Sequence, residues 1–382
     1  MPPGTTNLTP VKRLAVLVAV LACSTSAASA ATPEVDARAY LVEEAQTGEV
    51  LLARRAHDRL PIASITKLMT VLVALERSKP GAMVSVDPDA VGVTGSTIRL
   101  RAGERLPLRD LIAAALIQSA NDSAVALAEH VGGGDSGPFV EYMNQRAKAL
   151  GLSETQFARP DGLDTPGHYS SASDVTRLAL EAMKSPVVRR LVRQESASIS
   201  GGRTLHTWND LLGEFPGTFG VKTGHTSGAG WNQVAAARGN HVTIYATILG
   251  SPTRAVRNAD LEELLAWGMS RYAYVPLASP ERVYGRIPVE WGFDPVPVVA
   301  ARPMRRPVRI GRPLVERVVM PGRLDLPVRE GQVVGEVRVY DRKRVLGRTP
   351  LVAAEARDDP GLLERTGWYA GRTIDHIGGW FS

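Results

Sequence analysis

The sequence predicts an α/β (α+β) protein in which a sheet flanked by helices is followed by a small all-β domain and a C-terminal amphipathic helix. Three observations carry this expectation. Apolar residues recur at helical spacing after residue 64 and from about 108 to 128, strand-like segments return between 218 and 249, and composition changes after about Tyr272. Helices inserted among strands, with short strands adjacent at the end, suggest a mixed sheet covered by helices. At 382 residues the chain is also long enough for two folded units.

The chain opens as an export leader over residues 1–30. Lys12-Arg13 precede the apolar run Leu14 to Ala22, and Ala28-Ser29-Ala30 supplies small residues for cleavage before Ala31. The run is short for a bilayer span. Cys23 is the only cysteine, so cleavage after Ala30 leaves no thiol and excludes both disulfides and cysteine catalysis. Val20-Leu21-Ala22-Cys23 also resembles a lipoprotein processing site, which would keep Cys23 as a lipidated N-terminus. Either route places the protein outside the cytoplasm, in the periplasm or cell-wall space.

Residues 31–275 read as the first domain. Alternation around Thr47-Gly48 over residues 38–52 predicts a hairpin. From Ser64 to Glu76, Ile65, Leu68, Met69, Leu72 and Leu75 mark a helix. A second helical stretch, about Leu108 to Ala128, is interrupted near Ser119-Ala120-Asn121. Strands follow at about 218–223, 232–237 and 242–249, and a helix from about Asp260 to Met269 closes the unit.

Residues 276–355 are rich in Val, Pro, Arg and Gly in short runs, with turns at Pro321-Gly322 and Glu330-Gly331, which predicts a small β domain. In residues 356–382, Leu362, Leu363, Tyr369, Ala370, Ile374, Ile377, Trp380 and Phe381 share one face of a helical wheel. Glu364, Arg365, Arg372, Asp375 and His376 take the other, as in a helix lying on a membrane surface. A helix packed on its own domain, or a frayed tail, has the same pattern.

Formal net charge is +6, or +4 without Lys12 and Arg13. Thirteen Lys and Arg against five Asp and Glu put about +8 on residues 301–350. No aromatic-interleaved basic motif, zinc knuckle or helix-turn-helix accompanies that charge, so nucleic acid is not an expected partner. No histidine falls at helical spacing with another, so no metal and no cofactor are expected.

Three short motifs occur in order: Ser64-Ile65-Thr66-Lys67, Ser119-Ala120-Asn121 and Lys222-Thr223-Gly224. Each is weak alone, because Ser64 reads equally as a helix N-cap and Lys67 as a solvated lysine. Of seven lysines, however, only Lys67 follows a serine by three residues and only Lys222 precedes Thr-Gly. Of seven asparagines only Asn121 follows a serine by two. Ser64 and Lys67 share one helix face, so the amine can take the hydroxyl proton if burial and a second cation, Lys222, depress its pKa. Ser119 then reads as a proton relay and Asn121 as a contact to Lys67 and a substrate amide. Lys222 and Thr223 read as the binding site for a terminal carboxylate, with Gly224 allowing close backbone approach.

The three motifs, with Pro61 through Thr70, Gly95-Ser96-Thr97, Gln118 through Asp122, Ala126 through His130, Asp161 through Asp164, Gly167 through Ser170 and Lys222 through Gly230, resemble the low-molecular-weight penicillin-binding proteins. More narrowly they resemble the D-alanyl-D-alanine carboxypeptidases of peptidase family S11, over about residues 36–275 and more loosely through residues 326–335. The resemblance implies a β-lactamase/transpeptidase-like domain with an antiparallel sheet and an acyl-enzyme on Ser64. It further implies an oxyanion site from the backbone N–H groups of Ser64 and His225, peptidoglycan stem peptides as substrates, β-lactams as inhibitors, and a membrane-docked tail. Trp231-Asn232 departs from the smaller or aliphatic pair more usual there. A D,D-endopeptidase and a non-catalytic wall-binding module remain alternatives. A class A β-lactamase would need a glutamate followed four residues later by asparagine, but Glu154 is followed at that distance by Ala158.

Overall fold

The computed structural model describes residues 14–21, 31–366 and 368. The chain divides into two compact units, Ser29–Arg271 and Tyr272–Ser382 with Met1–Ala28.

In the first unit the expected hairpin is formed by β1 (Ala39–Glu44) and β2 (Glu49–Arg54). Its turn is closed by the buried Glu44 carboxylate, which accepts hydrogen bonds from the backbone N–H groups of Gln46 and Thr47 and from Thr47 Oγ1. Strands β3 (Thr218–Thr226), β4 (Gly230–Gly239) and β5 (Val242–Ser251) run as consecutive hairpins, and β5 pairs with β1. The sheet order is β2-β1-β5-β4-β3. Every pair in it is antiparallel, so the expectation of a mixed sheet is corrected. Two tight turns deliver β5 to β1 without a parallel crossover; most of the helices are inserted between β2 and β3, and one follows β5.

The longer helices are α1 (Lys67–Arg77), α2 (Leu108–Leu116), α3 (Asn121–Gly132), α4 (Ser136–Ala149), α5 (Ala172–Ala182) and α6 (Arg254–Ser270). On α5, Thr176 Oγ1 lies 2.6 Å from Thr247 Oγ1 of β5. On α6, a Cβ at Gly268 would stand 2.9 Å from Ile244 of β5, so glycine is what lets this helix approach. Ile244 and Thr247 are an odd number of residues apart and point to opposite faces, which puts α5 and α6 on the two sides of the sheet. Leu68, Met69, Leu72, Leu111, Ile112 and Leu127 of α1, α2 and α3 are buried in one continuous core. The sequence reading missed α4 and α5. The buried residues of α4 are only Phe139, Met143 and Ala147, a stripe too thin to stand out.

Within α3, Glu129 is 3% exposed and its Oε2 has no hydrogen-bond partner among the described residues. Burial, together with Asp87, Asp89 and Asp135, pushes its carboxyl up to about 7. A carboxyl raised in the fold stabilises the protein while protonated, and that contribution is lost as pH rises through about 7. Glu129→Gln is therefore expected to leave stability unchanged at pH 4 and to raise it by about 2 kcal/mol at pH 9. Urea unfolding at the two pH values checks this; equal effects at both would refute it.

The second unit is all-β over residues 272–353. Strands Leu14–Leu21, Leu314–Pro321, Val333–Asp341, Arg344–Ala353, Val296–Ala300 and Val283–Ile287 form one sheet in that order, and Tyr272–Ala278 pairs with Met304–Arg309. Its core is largely Val296, Val298, Val318, Val337, Val339 and Leu351. Part of the apolar run read as a leader is thus a strand, with Leu21 opposite Leu314; the rest of that leader lies outside the described residues. At the other end, residues 362–366 are helical and Leu362 and Leu363 are 83% and 89% exposed. Residues 369–382 of the expected amphipathic helix lie outside the described residues. No helix among the described residues is long and apolar enough to cross a membrane.

Candidate active site

Ser64 does not start a regular α-helix. Residues Ala63–Thr66 form a 3-10 turn, entered through Ala63 at φ +49°, and α1 begins at Lys67. This tight turn still places Ser64 against Lys67, whose Nζ donates to Ser64 Oγ at 2.8 Å. The same ammonium donates to Asn121 Oδ1 at 2.7 Å and to the backbone oxygen of Asp161 at 2.6 Å. Three acceptors around one amine fix its position and leave it no freedom to swing into solvent. Lys67 is 0% exposed, and its pKa falls to about 7, chiefly through burial. Asp161 opposes that fall, while Arg159 adds to it. Of the causes expected, burial is the largest, and the expectation that Lys222 is the depressing cation is corrected, because the cation that adds to the fall is Arg159.

Asn121 opens α3, and Ser119 lies in the break before it with φ +62°, a left-handed conformation costly for a residue with a side chain. Asn121 is held by Nδ2 donating to Thr94 O at 2.6 Å and by its N–H donating to Ser96 O at 2.7 Å. Asp122 accepts from the N–H groups of Ile98 and Leu100, tying the same loop. Ser119 Oγ accepts from Lys222 Nζ at 2.8 Å. Lys222 is 2% exposed and its pKa lies well below the ordinary value, first through burial and then through repulsion by Lys67. Its ammonium is thus turned inward beneath Ser119.

β3 carries Lys222, Thr223, Gly224 and His225, paired in register with Val234, Gln233, Asn232 and Trp231 of β4. A Cβ at Gly224 would lie 2.7 Å from Ile62 O and 3.0 Å from Ser64 N, so any side chain there would push β3 off the Ser64 turn. Gly162, at φ +84°, faces the turn from the other side; its added Cβ would overlap Ala63 O. The imidazole of His225 stacks on Trp231 with centroids 3.9 Å apart. Asn232, named in the sequence as unusual, is buried and joins strands to turn by donating to Pro61 O and accepting from Gly250 N.

A pocket of about 320 Å³ opens over Ser64 and is lined by Ser119, Asn121, Thr223, Gly224 and His225 among others. All eight residues expected from the sequence are in or directly beneath it; Lys67 and Lys222 are the two beneath. This arrangement holds a serine bonded to a buried amine of lowered pKa, beside a second hydroxyl bonded to a second buried amine, and it suits acyl transfer.

The comparisons with known proteins agree. The profile of the family described as D-alanyl-D-alanine carboxypeptidase, peptidase S11, matches residues 26–253. The chain belongs to this family. It is a serine-type D-alanyl-D-alanine carboxypeptidase, a hydrolase of the cell-wall peptidases. The Salmonella typhimurium D-alanyl-D-alanine carboxypeptidase DacD is 31% identical over 88% of this chain and 90% of its own. Penicillin-binding protein 5 from Haemophilus influenzae superposes with a TM-score of 0.63 at 26% identity, covering 86% of this chain and 99% of that one. Penicillin-binding protein D2 from Listeria monocytogenes, solved in an ampicillin-bound form, gives a TM-score of 0.57 at 29% identity over 62% of this chain and 99% of that one.

Several pocket residues of the carboxypeptidase escaped the sequence reading. Arg254 and Arg257 of α6, with Trp208, line the pocket from segments that carry no motif. Arg257 is 2% exposed, donates to Asp210 Oδ2 at 3.3 Å, and lies 5.7 Å from the Trp231 ring centroid. Burial lowers its pKa to about 10. The contacts of His168 are internal: Ala158 N–H donates to Nδ1, so Nε2–H faces Thr66 Oγ1 at 2.8 Å. Burial lowers its pKa to about 4. The neutral ring therefore braces the loop that offers Asp161 O to Lys67.

Proposed function

We propose that the carboxypeptidase removes the terminal D-alanine of peptidoglycan stem peptides through an acyl-enzyme on Ser64. The observation that carries this is the fully buried Lys67 amine, 2.8 Å from Ser64 Oγ and poised near pH 7 to accept its proton. The Ser64 oxygen attacks the carbonyl carbon between the two D-alanines, and its proton passes to Lys67 Nζ. The backbone N–H groups of Ser64 and His225 hold the oxyanion. Ser119 Oγ accepts from Lys222 Nζ, so as its own proton passes to the leaving amine it takes a replacement from Lys222, and the proton Lys67 took from Ser64 makes good that loss and leaves Lys67 neutral again. The C–N bond breaks, D-alanine departs, and water cleaves the ester with Lys67 as base.

Thr223 and Arg257 bind the free carboxylate in place of the Lys222–Thr223 pair expected from the sequence, because Lys222 is buried and bonded to Ser119 while Arg257 lines the pocket. A β-lactam enters the same pocket and acylates the same serine, in keeping with the ampicillin-bound Listeria relative. Residues 1–30 serve as an export leader, and the tail with exposed Leu362 and Leu363 docks the enzyme on the outer face of the membrane. Loss of that leader would remove the strand Leu14–Leu21 and leave Leu314–Pro321 at the sheet edge.

Intact-mass measurement on membrane-extracted, penicillin-treated protein tests the reading. One penicilloyl adduct on a chain beginning at Ala31 is expected, and deletion of residues 361–382 is expected to move the protein to the soluble fraction. An unmodified mass would refute the nucleophile. A lipidated Cys23, or membrane retention after the deletion, would refute the tail as the anchor.

A further inference from the structure

One end of the pocket is closed by a residue that no catalytic motif contains. Trp208 lies in the segment between the short hairpin strand Arg203–His206 and β3, and it lines the pocket with Ser119, Thr223, Arg254 and Arg257. The residue is 47% exposed, yet its ring is held at the N–H edge and over one face. The indole N–H donates to Gln118 O at 3.0 Å, one residue before Ser119. On its other side the Arg254 guanidinium stands 5.5 Å from the ring centroid. Arg254 is in turn clamped by both oxygens of Asp210, a carboxylate that also accepts from Arg257 and from Asn258 Nδ2. Next to Trp208, Asn209 is buried and accepts from Gln233 Nε2 of β4 at 2.7 Å. The indole is thus a fixed bar joining the Gln118–Asn121 side of the pocket to the α6 side, at the end where the arginines lie.

Resting on the reading that the substrate's terminal carboxylate occupies that cationic end, we propose that Trp208 limits the size of the leaving group. With the bar in place, a single small D-amino acid with a free carboxylate fits between Ser119 and the arginines. A D-amino acid whose side chain is itself acylated, as in a peptide crosslink, meets the indole. Trp208 is then the specificity residue that makes this enzyme an exopeptidase rather than one that opens crosslinks. A flat aromatic ring suits the task, because it offers a wide apolar face with only two side-chain torsions to restrain, and the Gln118 bond restrains them.

The test compares kcat/KM for diacetyl-L-lysyl-D-alanyl-D-alanine with that for the same peptide ending in ε-acetylated D-lysine. Wild type is expected to favour the D-alanine substrate by about tenfold or more, the scale at which a packed pocket rejects added bulk. Trp208→Ala is expected to shrink that ratio about tenfold, through a gain on the bulky substrate. Trp208→Phe keeps bulk without the N–H and should retain most of the preference, and Trp208→Leu should fall between. Because the readout is a ratio within each variant, a general loss of active protein does not move it. Equal ratios in wild type, Trp208→Leu and Trp208→Ala would overturn the proposal, as would a wild type that cleaves both peptides equally. Wild type inert to both peptides and to penicillin would overturn the functional reading instead.

Discussion

Ser64→Ala is expected to abolish covalent penicillin labelling and to lower hydrolysis of D-alanyl-D-alanine peptides by on the order of 10⁴-fold or more, because no other group can form the acyl-enzyme. The remaining site should persist. Lys67 loses one of its three acceptors but keeps Asn121 Oδ1 and Asp161 O. The variant removes a single hydroxyl from a half-buried residue, so its melting temperature should stay close to wild type. Gel fluorography with labelled penicillin and a thermal melt on the same sample settle the matter together. A labelled band in a folded Ser64→Ala protein would move the nucleophile elsewhere, and Ser119, the next hydroxyl in the pocket, would be the place to look.

Lys67→Arg is expected to be nearly as damaging, with acylation slowed about 10³-fold, although it keeps the positive charge. A guanidinium cannot give up its proton at any pH the enzyme tolerates, whereas the buried amine titrates at about 7. The sign of the wild-type profile follows from that shift. Burial disfavours the ammonium, so the neutral base is the minority form below pH 7 and the majority form above it. The penicillin acylation rate should therefore climb about tenfold per pH unit below 7 and level off above. In the arginine variant the climb centred near 7 should vanish. Because an arginine is large for a fully enclosed position, Lys67→Met provides the second case, equally slow and equally free of the climb. A wild-type rate flat from pH 5.5 to 8.5 would remove Lys67 from the role of base.

Much of this site was legible before any coordinates. Unique occurrences of three short patterns named Ser64, Lys67, Ser119, Asn121 and the Lys222–His225 stretch, and the structure brings all of them to one pocket. The reason is that each motif carries its own local geometry. A tight helical turn makes Ser64 and Lys67 neighbours, a helix break sets Ser119 beside Asn121, and a strand alternates Lys222 and Gly224 to one side with Thr223 to the other. The hairpin at Thr47-Gly48 and the strands after residue 218 were legible for the same local reason. The pattern failed where it is sparse, as in α4, and where sheet direction depends on which distant strands meet.

Charge was the least readable quantity. A lysine in a sequence is nominally solvated and protonated, and only the core closed over Lys67 lowers its pKa to about 7. Likewise Arg254, Arg257 and Trp208 acquire meaning only because α6 and the segment before β3 end at the same pocket. The sequence by itself therefore determined the family and the local turns that present Ser64, Lys67, Ser119 and Asn121, since these depend on contacts a few residues apart. Only the tertiary structure decided the proton affinity of Lys67, the inward turn of Lys222 and the wall formed by Trp208. Desolvation and long-range approach are properties of the packed chain, and no run of neighbouring residues encodes them.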